Sequence, residues 1–180
     1  MTRPLAAFLA GLVPALAFGW LGFPRLLHVA AEQPLQFSHQ VHTSEATGLG
    51  CDDCHGFRSD GELAGIPSAA SCAGCHAEPI GDSTEERRLV EEFVAPCREI
   101  PWLAYSRQPD HVYFPHFAHV TSAGLACEDC HGPHGASASL AAVEIDRITG
   151  YARGQIRMGE CEECHRESGR GTLACIGCHR

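Results

Sequence analysis

A mainly helical and irregular fold, set behind one N-terminal apolar helix and divided into two similar modules, follows from three features of this sequence. An uncharged apolar run opens the chain, one pentapeptide recurs five times, and the segments around that pentapeptide repeat. The chain has 180 residues, with 11 Cys and 12 His against 13 Arg and no Lys. A formal net charge of −9 and the lack of any basic stripe argue against a nucleic-acid partner. So many thiols are foreign to an ordinary cytosolic enzyme without metal, and an odd number cannot all pair as disulfides.

The apolar run reads PLAAFLAGLVPALAFGWLGFP, 21 residues from Pro4 to Pro24, between Arg3 and Arg25. About 20 such residues at 1.5 Å rise match the hydrocarbon thickness of a bilayer. Trp20 and Phe23 lie near its outer end, where aromatic side chains favour the interface, and Pro14 is tolerated as a kink. A cleaved signal peptide is the competing reading, with Val29-Ala30-Ala31 as its small-residue cleavage site. The run is longer than a usual signal core, which favours a retained anchor over residues 1–30. Either reading exports the remainder.

That remainder contains Cys51-Asp52-Asp53-Cys54-His55, Cys72-Ala73-Gly74-Cys75-His76, Cys127-Glu128-Asp129-Cys130-His131, Cys161-Glu162-Glu163-Cys164-His165 and Cys175-Ile176-Gly177-Cys178-His179. C-x-x-C-H is the attachment pattern of c-type haem. Two thiols three residues apart on a helical turn reach the two vinyl groups of one porphyrin edge, and the adjoining imidazole turns under the iron. Zinc ribbons or a disulfide framework would have to explain why a His follows every second Cys. Five haems use ten cysteines and leave Cys97.

Five motif histidines leave His28, His39, His42, His111, His116, His119 and His134 as candidate second ligands. Met158 is the sole methionine after Met1, so bis-His ligation is the default, and it gives lower potentials than His/Met. Phe37-Ser38-His39-Gln40-Val41-His42 precedes Cys51, and Phe114-Pro115-His116-Phe117-Ala118-His119 precedes Cys127. The two segments align, which divides the exported part into modules of residues 31–105 and 106–180.

This F-x-H-x-x-H…C-x-x-C-H arrangement resembles the class III (tri- and tetrahaem) cytochromes c. The resemblance implies that His116 ligates the Cys127/Cys130 haem, His119 the Cys175/Cys178 haem and His134 the Cys161/Cys164 haem, a complete trihaem unit. In the first module it implies His39 for the Cys51/Cys54 haem and His42 for a third haem. No His stands where His134 stands in the second module. The distal partner of the Cys72/Cys75 haem is therefore open, with His28 and His111 as candidates. The expected fold is a multihaem cytochrome c, two class III trihaem-like modules around a haem-filled core, with few or no strands.

A third haem of the first module belongs near Cys97. Ser83 with Glu86 makes a capping-box pattern, so a helix is expected from about residue 84 to 95, stopping near Pro96. Val90, Phe93 and Val94 form its apolar face, and Cys97 extends their spacing and should point inward. One thiol makes one thioether bond; spare His28, His42 and His111 could supply the axial ligands. The alternative is a buried inert cysteine.

No catalytic constellation is legible, so electron transfer is favoured over substrate catalysis. Residues 100–120, with Ile100-Pro101-Trp102 and Ser106-Arg107-Gln108-Pro109-Asp110, together with the anchor and the duplicated haem modules, resemble the membrane-anchored multihaem subunit of Qrc-type menaquinone reductase and alternative complex III. That resemblance implies partner subunits of molybdopterin-enzyme-like, iron–sulfur and polytopic quinone-binding membrane type. It also implies electron exchange between a periplasmic cytochrome and the menaquinone pool, from a single-pass position in the bacterial cytoplasmic membrane. Residues 26–180 hold 11 Arg and all 22 acidic side chains, a surface suited to a basic soluble cytochrome c. A free-standing membrane-tethered carrier and a small multihaem reductase are the alternatives. Trp102, Tyr105 and Tyr113 either pack on haem or a partner, or belong to a plain strap between modules.

Overall fold

The computed structural model describes residues 2–59, 61–63, 65–153 and 156–179. A helix over Arg3–Leu27 has a mean hydropathy of 1.9, buries none of its apolar stretch inside the protein and is long enough to cross a membrane. Its α-helical part, Thr2–Ala17, continues as a wider π turn over Phe18–Gly22 before Phe23–Leu27. The Phe23 N–H reaches back to the Phe18 carbonyl, five residues away. Pro24, lacking an N–H, cannot close the regular bond to Trp20. The helix stops where His28 turns extended (φ −108°, ψ 147°).

Strand β1, His28–Ala31, follows at once and pairs antiparallel with β2, Val143–Asp146, in the second module. His28 stands opposite Asp146, and the Arg147 N–H donates to the Leu27 carbonyl at 2.7 Å. The first residues leaving the apolar helix are thus held by the second module, a pairing that local sequence does not announce. Otherwise the fold is short helices and loops, as the sequence predicts.

Each pentapeptide lies in a helical turn: Cys51–Cys54, Ala69–Ala73 leading into Cys75, Cys127–His131, Met158–Ser168 and Cys175–Cys178. Acidic residues in or just before three of the motifs have a local task. Asp53 accepts from Gly50 N at 2.7 Å, Asp129 from Ala126 N at 2.8 Å and Glu160 from Arg157 N at 2.6 Å, each satisfying a donor at a helix start.

The side-chain core is small and lies in the first module, where Leu35, Ala69, Leu89, Phe93 and Ile100 cluster with Cys72, Val94 and Trp102 packed against them. In the second module Val143 alone among the described residues is buried. The helix Thr84–Leu89 starts at Ser83, whose side chain accepts from Glu86 N, and buries Val90 and Phe93 as its spacing predicts. Its end differs from expectation. Residues Val90–Val94 form a π turn, which advances less per residue than an α turn and shifts the phase of everything beyond. Cys97 lies past that turn at φ 54°, and its thiol is exposed rather than inward.

The two modules meet reciprocally. The first module's His39–His42 helix packs on the segment after His131, with Gln40 N donating to Ser137 O at 3.0 Å and Thr43 Oγ1 to Gly135 O at 2.8 Å. The second module's Phe117 meets Phe57, after His55, edge to face at 6.2 Å. Gln33 ties the strap together, its side chain accepting from Leu103 N and donating to Leu103 O.

Candidate haem-binding sites

The cysteine pairs stand in a continuous row. Burial first, then neighbouring charge, pushes the Cys51, Cys54, Cys72, Cys130 and Cys161 thiols up, and those neighbours give the order of the motifs in space. The Cys54 thiol feels Cys75, and Cys72 feels Cys54. Cys51 feels Cys127. Cys130 feels Cys164 and Cys161, and Cys161 feels Cys178. The row therefore runs 72/75, 51/54, 127/130, 161/164, 175/178, with the first motifs of the two modules abutting at its centre. All eleven cysteines are free thiols, and among the described residues no three of His, Cys, Asp and Glu converge as a zinc ribbon would need.

The histidines face one another across gaps of iron size. An imidazole nitrogen binds a metal at about 2.0 Å, so with the ring centre a further ~1.1 Å behind, two imidazoles on one haem iron have centres about 6 Å apart. His116 and His131 are stacked with centres 6.4 Å apart, and His119 and His165 at 6.1 Å. His111 and His179 stack at 5.7 Å, and His42 lies 6.0 Å from His76 at a 54° tilt. Burial and then the charges of His55, His134 and His42 lower the pKa of His39. Burial likewise lowers His116, with His131 as its first charged neighbour, and His131, with His134 and His55 behind it. These shifts favour neutral imidazole, the form that ligates metal.

Hydrogen bonds fix which nitrogen is free. Nδ1 of His42 donates to Ser38 O at 2.8 Å, that of His119 to Pro115 O at 2.9 Å, that of His55 to Gly65 O at 2.8 Å and that of His165 to Thr172 O at 2.9 Å. Each such bond leaves Nε2 as the metal-binding nitrogen and orients the ring. His76 differs: its Nδ1 meets a carboxylate, Glu86 Oε1, at 2.8 Å. The pattern of Ser83 and Glu86 locates this residue but assigns its side chain to the helix start. In the structure that carboxylate instead accepts from Ile80 N and Gly81 N, which with His76 hold it below the ordinary carboxylate range.

Several pairings differ from those the class III resemblance implies. His119 faces His165 rather than His179, and His179 takes His111, beside which Val112 bridges to His179 and Tyr113 N donates to Cys178 O. His42 faces His76, the motif for which His28 and His111 were candidates. His134 stands 6.4 Å from His39 and edge-on to Tyr105 at 5.5 Å, not against His165. His28 lies 4.0 Å from Asp146 beside the N-terminal apolar helix. Sequence spacing orders ligands along the chain, whereas these pairs are set by how the modules fold back on each other.

Haem fits this arrangement. Paired imidazoles, paired thiols beside them and a scarcity of buried side chains are what porphyrin-filled modules require. The Trp102 indole Nε1, buried beside the cluster against which Cys72 packs, has no hydrogen-bond partner among the described residues, a donor suited to a propionate oxygen.

Residues 112–180 match the family model described as cytochrome c7 and related cytochrome c. The chain is also 39% identical over 189 aligned positions to the menaquinone reductase multiheme cytochrome c subunit of Nitratidesulfovibrio vulgaris, covering 97% of this chain and 90% of that protein.

Proposed function

Because the chain belongs to the multihaem cytochrome c subunits of menaquinone reductase, we propose that it is the periplasmic electron-transfer subunit of a membrane quinone oxidoreductase complex. It passes electrons between a soluble cytochrome c and the menaquinone pool through partner subunits of molybdopterin-enzyme-like, iron–sulfur and polytopic membrane type. The observation that carries this reading is the row of five motifs, four with the motif His facing a second His at 5.7–6.4 Å and the fifth with its His55 as the first charged neighbour of His39. When bound, the haems supply one-electron carriers; the chain's own residues space, orient and ligate them. The ligand pairs are His42/His76, His39/His55, His116/His131, His119/His165 and His111/His179.

A sixth haem, attached through Cys97, completes the first module; with His42 and His111 assigned to other haems, His28 and His134 are the histidines left to serve it. Three features support it: the duplication, an exposed thiol, and a left-handed backbone (φ 54°) that residues other than Gly rarely adopt. Intact mass of the mature chain decides the count. Six haems with Cys97 blocked is the expected result; five, with Cys97 alkylatable after denaturation, contradicts it.

The functional reading is tested by purification in mild detergent followed by rapid mixing with a reduced basic cytochrome c. Comigration with larger subunits and haem reduction that slows as salt rises are expected, since residues 26–180 carry twice as many acids as arginines. Migration as a lone 19.3 kDa chain plus haem would instead describe a free-standing tethered carrier.

A further inference from the structure

We propose that Glu86 sets the haem at Cys72/Cys75 to a lower reduction potential than the haems held by His55 and His165. The inference rests on the reading that His76 ligates that haem. Among the described residues, three motif histidines have a hydrogen-bonded Nδ1. Those of His55 and His165 end on neutral backbone carbonyls, Gly65 O and Thr172 O. That of His76 ends on a carboxylate at 2.8 Å, and both partners are largely shielded, with side chains 19% and 13% exposed.

The carboxylate is itself fixed. Ile80 N donates to the same Oε1 at 2.8 Å and Gly81 N to Oε2 at 2.9 Å. A Cβ at Gly81 would stand 3.4 Å from Oε2, so the loop closes tightly over the acid. Ser83 anchors the start of the helix that carries it, accepting from Glu86 N. Glu86 is therefore held in place before any ligand binds, and its charge is aimed at the imidazole.

A carboxylate accepting the Nδ1 proton gives the imidazole partial imidazolate character and raises its basicity as a ligand. A more basic axial ligand and a nearby negative charge both favour the ferric over the ferrous ion. Of the five motifs, Cys72/Cys75 stands at one end of the row, so that end holds its electron less firmly than the haems of His55 and His165. Glu86 acts through His76 and is a positioning residue, not a ligand.

The test is a redox titration of the full-length holoprotein and its E86Q variant, read by visible absorption and low-temperature EPR, after tryptic peptide 59–87 has been checked for haem. The amide keeps the size and an acceptor but removes the charge. One component should become about tenfold easier to reduce, a rise of about 59 mV for one electron, with its EPR signal altered and haem content unchanged. E85Q, which breaks the Glu85–Arg88 pair on the same helix, should move no component. An E86Q titration superimposable on the wild type, with haem present on peptide 59–87, overturns the inference. A peptide 59–87 without haem overturns the functional reading on which it rests.

Discussion

The helices that carry His39 and His116 are two copies of one device. Phe37 lies edge-on to His39 at 4.9 Å and stacked on His42 at 4.3 Å; Phe114 lies edge-on to His116 at 4.9 Å and stacked on His119 at 4.3 Å. The second His of each pair donates Nδ1 to a carbonyl four residues earlier. The backbones beneath differ, a short α turn over His39–His42 and a π turn over Phe117–Ser122. The aromatic and the back-bond therefore fix the two imidazoles, and the exact helical winding is secondary. Away from this device the modules diverge. The first has a small apolar core and the unpaired Cys97; the second, among the described residues, buries only Val143 and pairs His111 near its start with His179 near its end.

That contrast predicts a large, unequal response to withholding haem. Expressed without cytochrome c maturation, the exported part should lose most of its ordered structure by circular dichroism, since haem and folding are coupled as metal and folding are. The second module should be digested first, and the segment around Leu89, Phe93 and Ile100 should persist longest. Equal and native-like protease resistance in both modules would break the comparison.

Replacing the equivalent histidines tests the shared device. H42A and H119A should each turn one haem high-spin, on the Cys72/Cys75 and Cys161/Cys164 peptides respectively, as read by EPR and by carbon monoxide binding after reduction. An effect of H119A on the Cys175/Cys178 haem would restore the pairing that spacing alone suggests.

Smaller effects probe the first module's own core. Phe93→Ala, at a site 6% exposed, should cost about 3–5 kcal/mol in the first module's unfolding, followed by thermal melting. Ser83→Ala should cost about 1 kcal/mol through the lost helix cap.

These differences also explain what the sequence could reveal. C-x-x-C-H is a local pattern with a local chemical reason, so the haem motifs, the apolar helix and the duplication can be read directly. The start of the helix at Ser83 and its buried Val90 and Phe93 are equally local. The facing of His42 with His76, of His111 with His179 and of β1 with β2 depends on contacts between distant segments, and no spacing encodes them. Cys97 shows a third kind of limit: a single π turn upstream rotates it from the expected inward face to an exposed one. Glu86 was visible as a helix-start residue, but its bond to His76 appears only when the loop over Ile80 and Gly81 is folded.

The most direct test of the account is a holoprotein structure with each iron located by its anomalous scattering and its two axial ligands identified. The predicted ligands are His42 with His76, His39 with His55, His116 with His131, His119 with His165 and His111 with His179, in a row with the Cys51 and Cys127 haems adjacent. Finding His119 on the iron of His179, or His134 on the iron of His165, would contradict it.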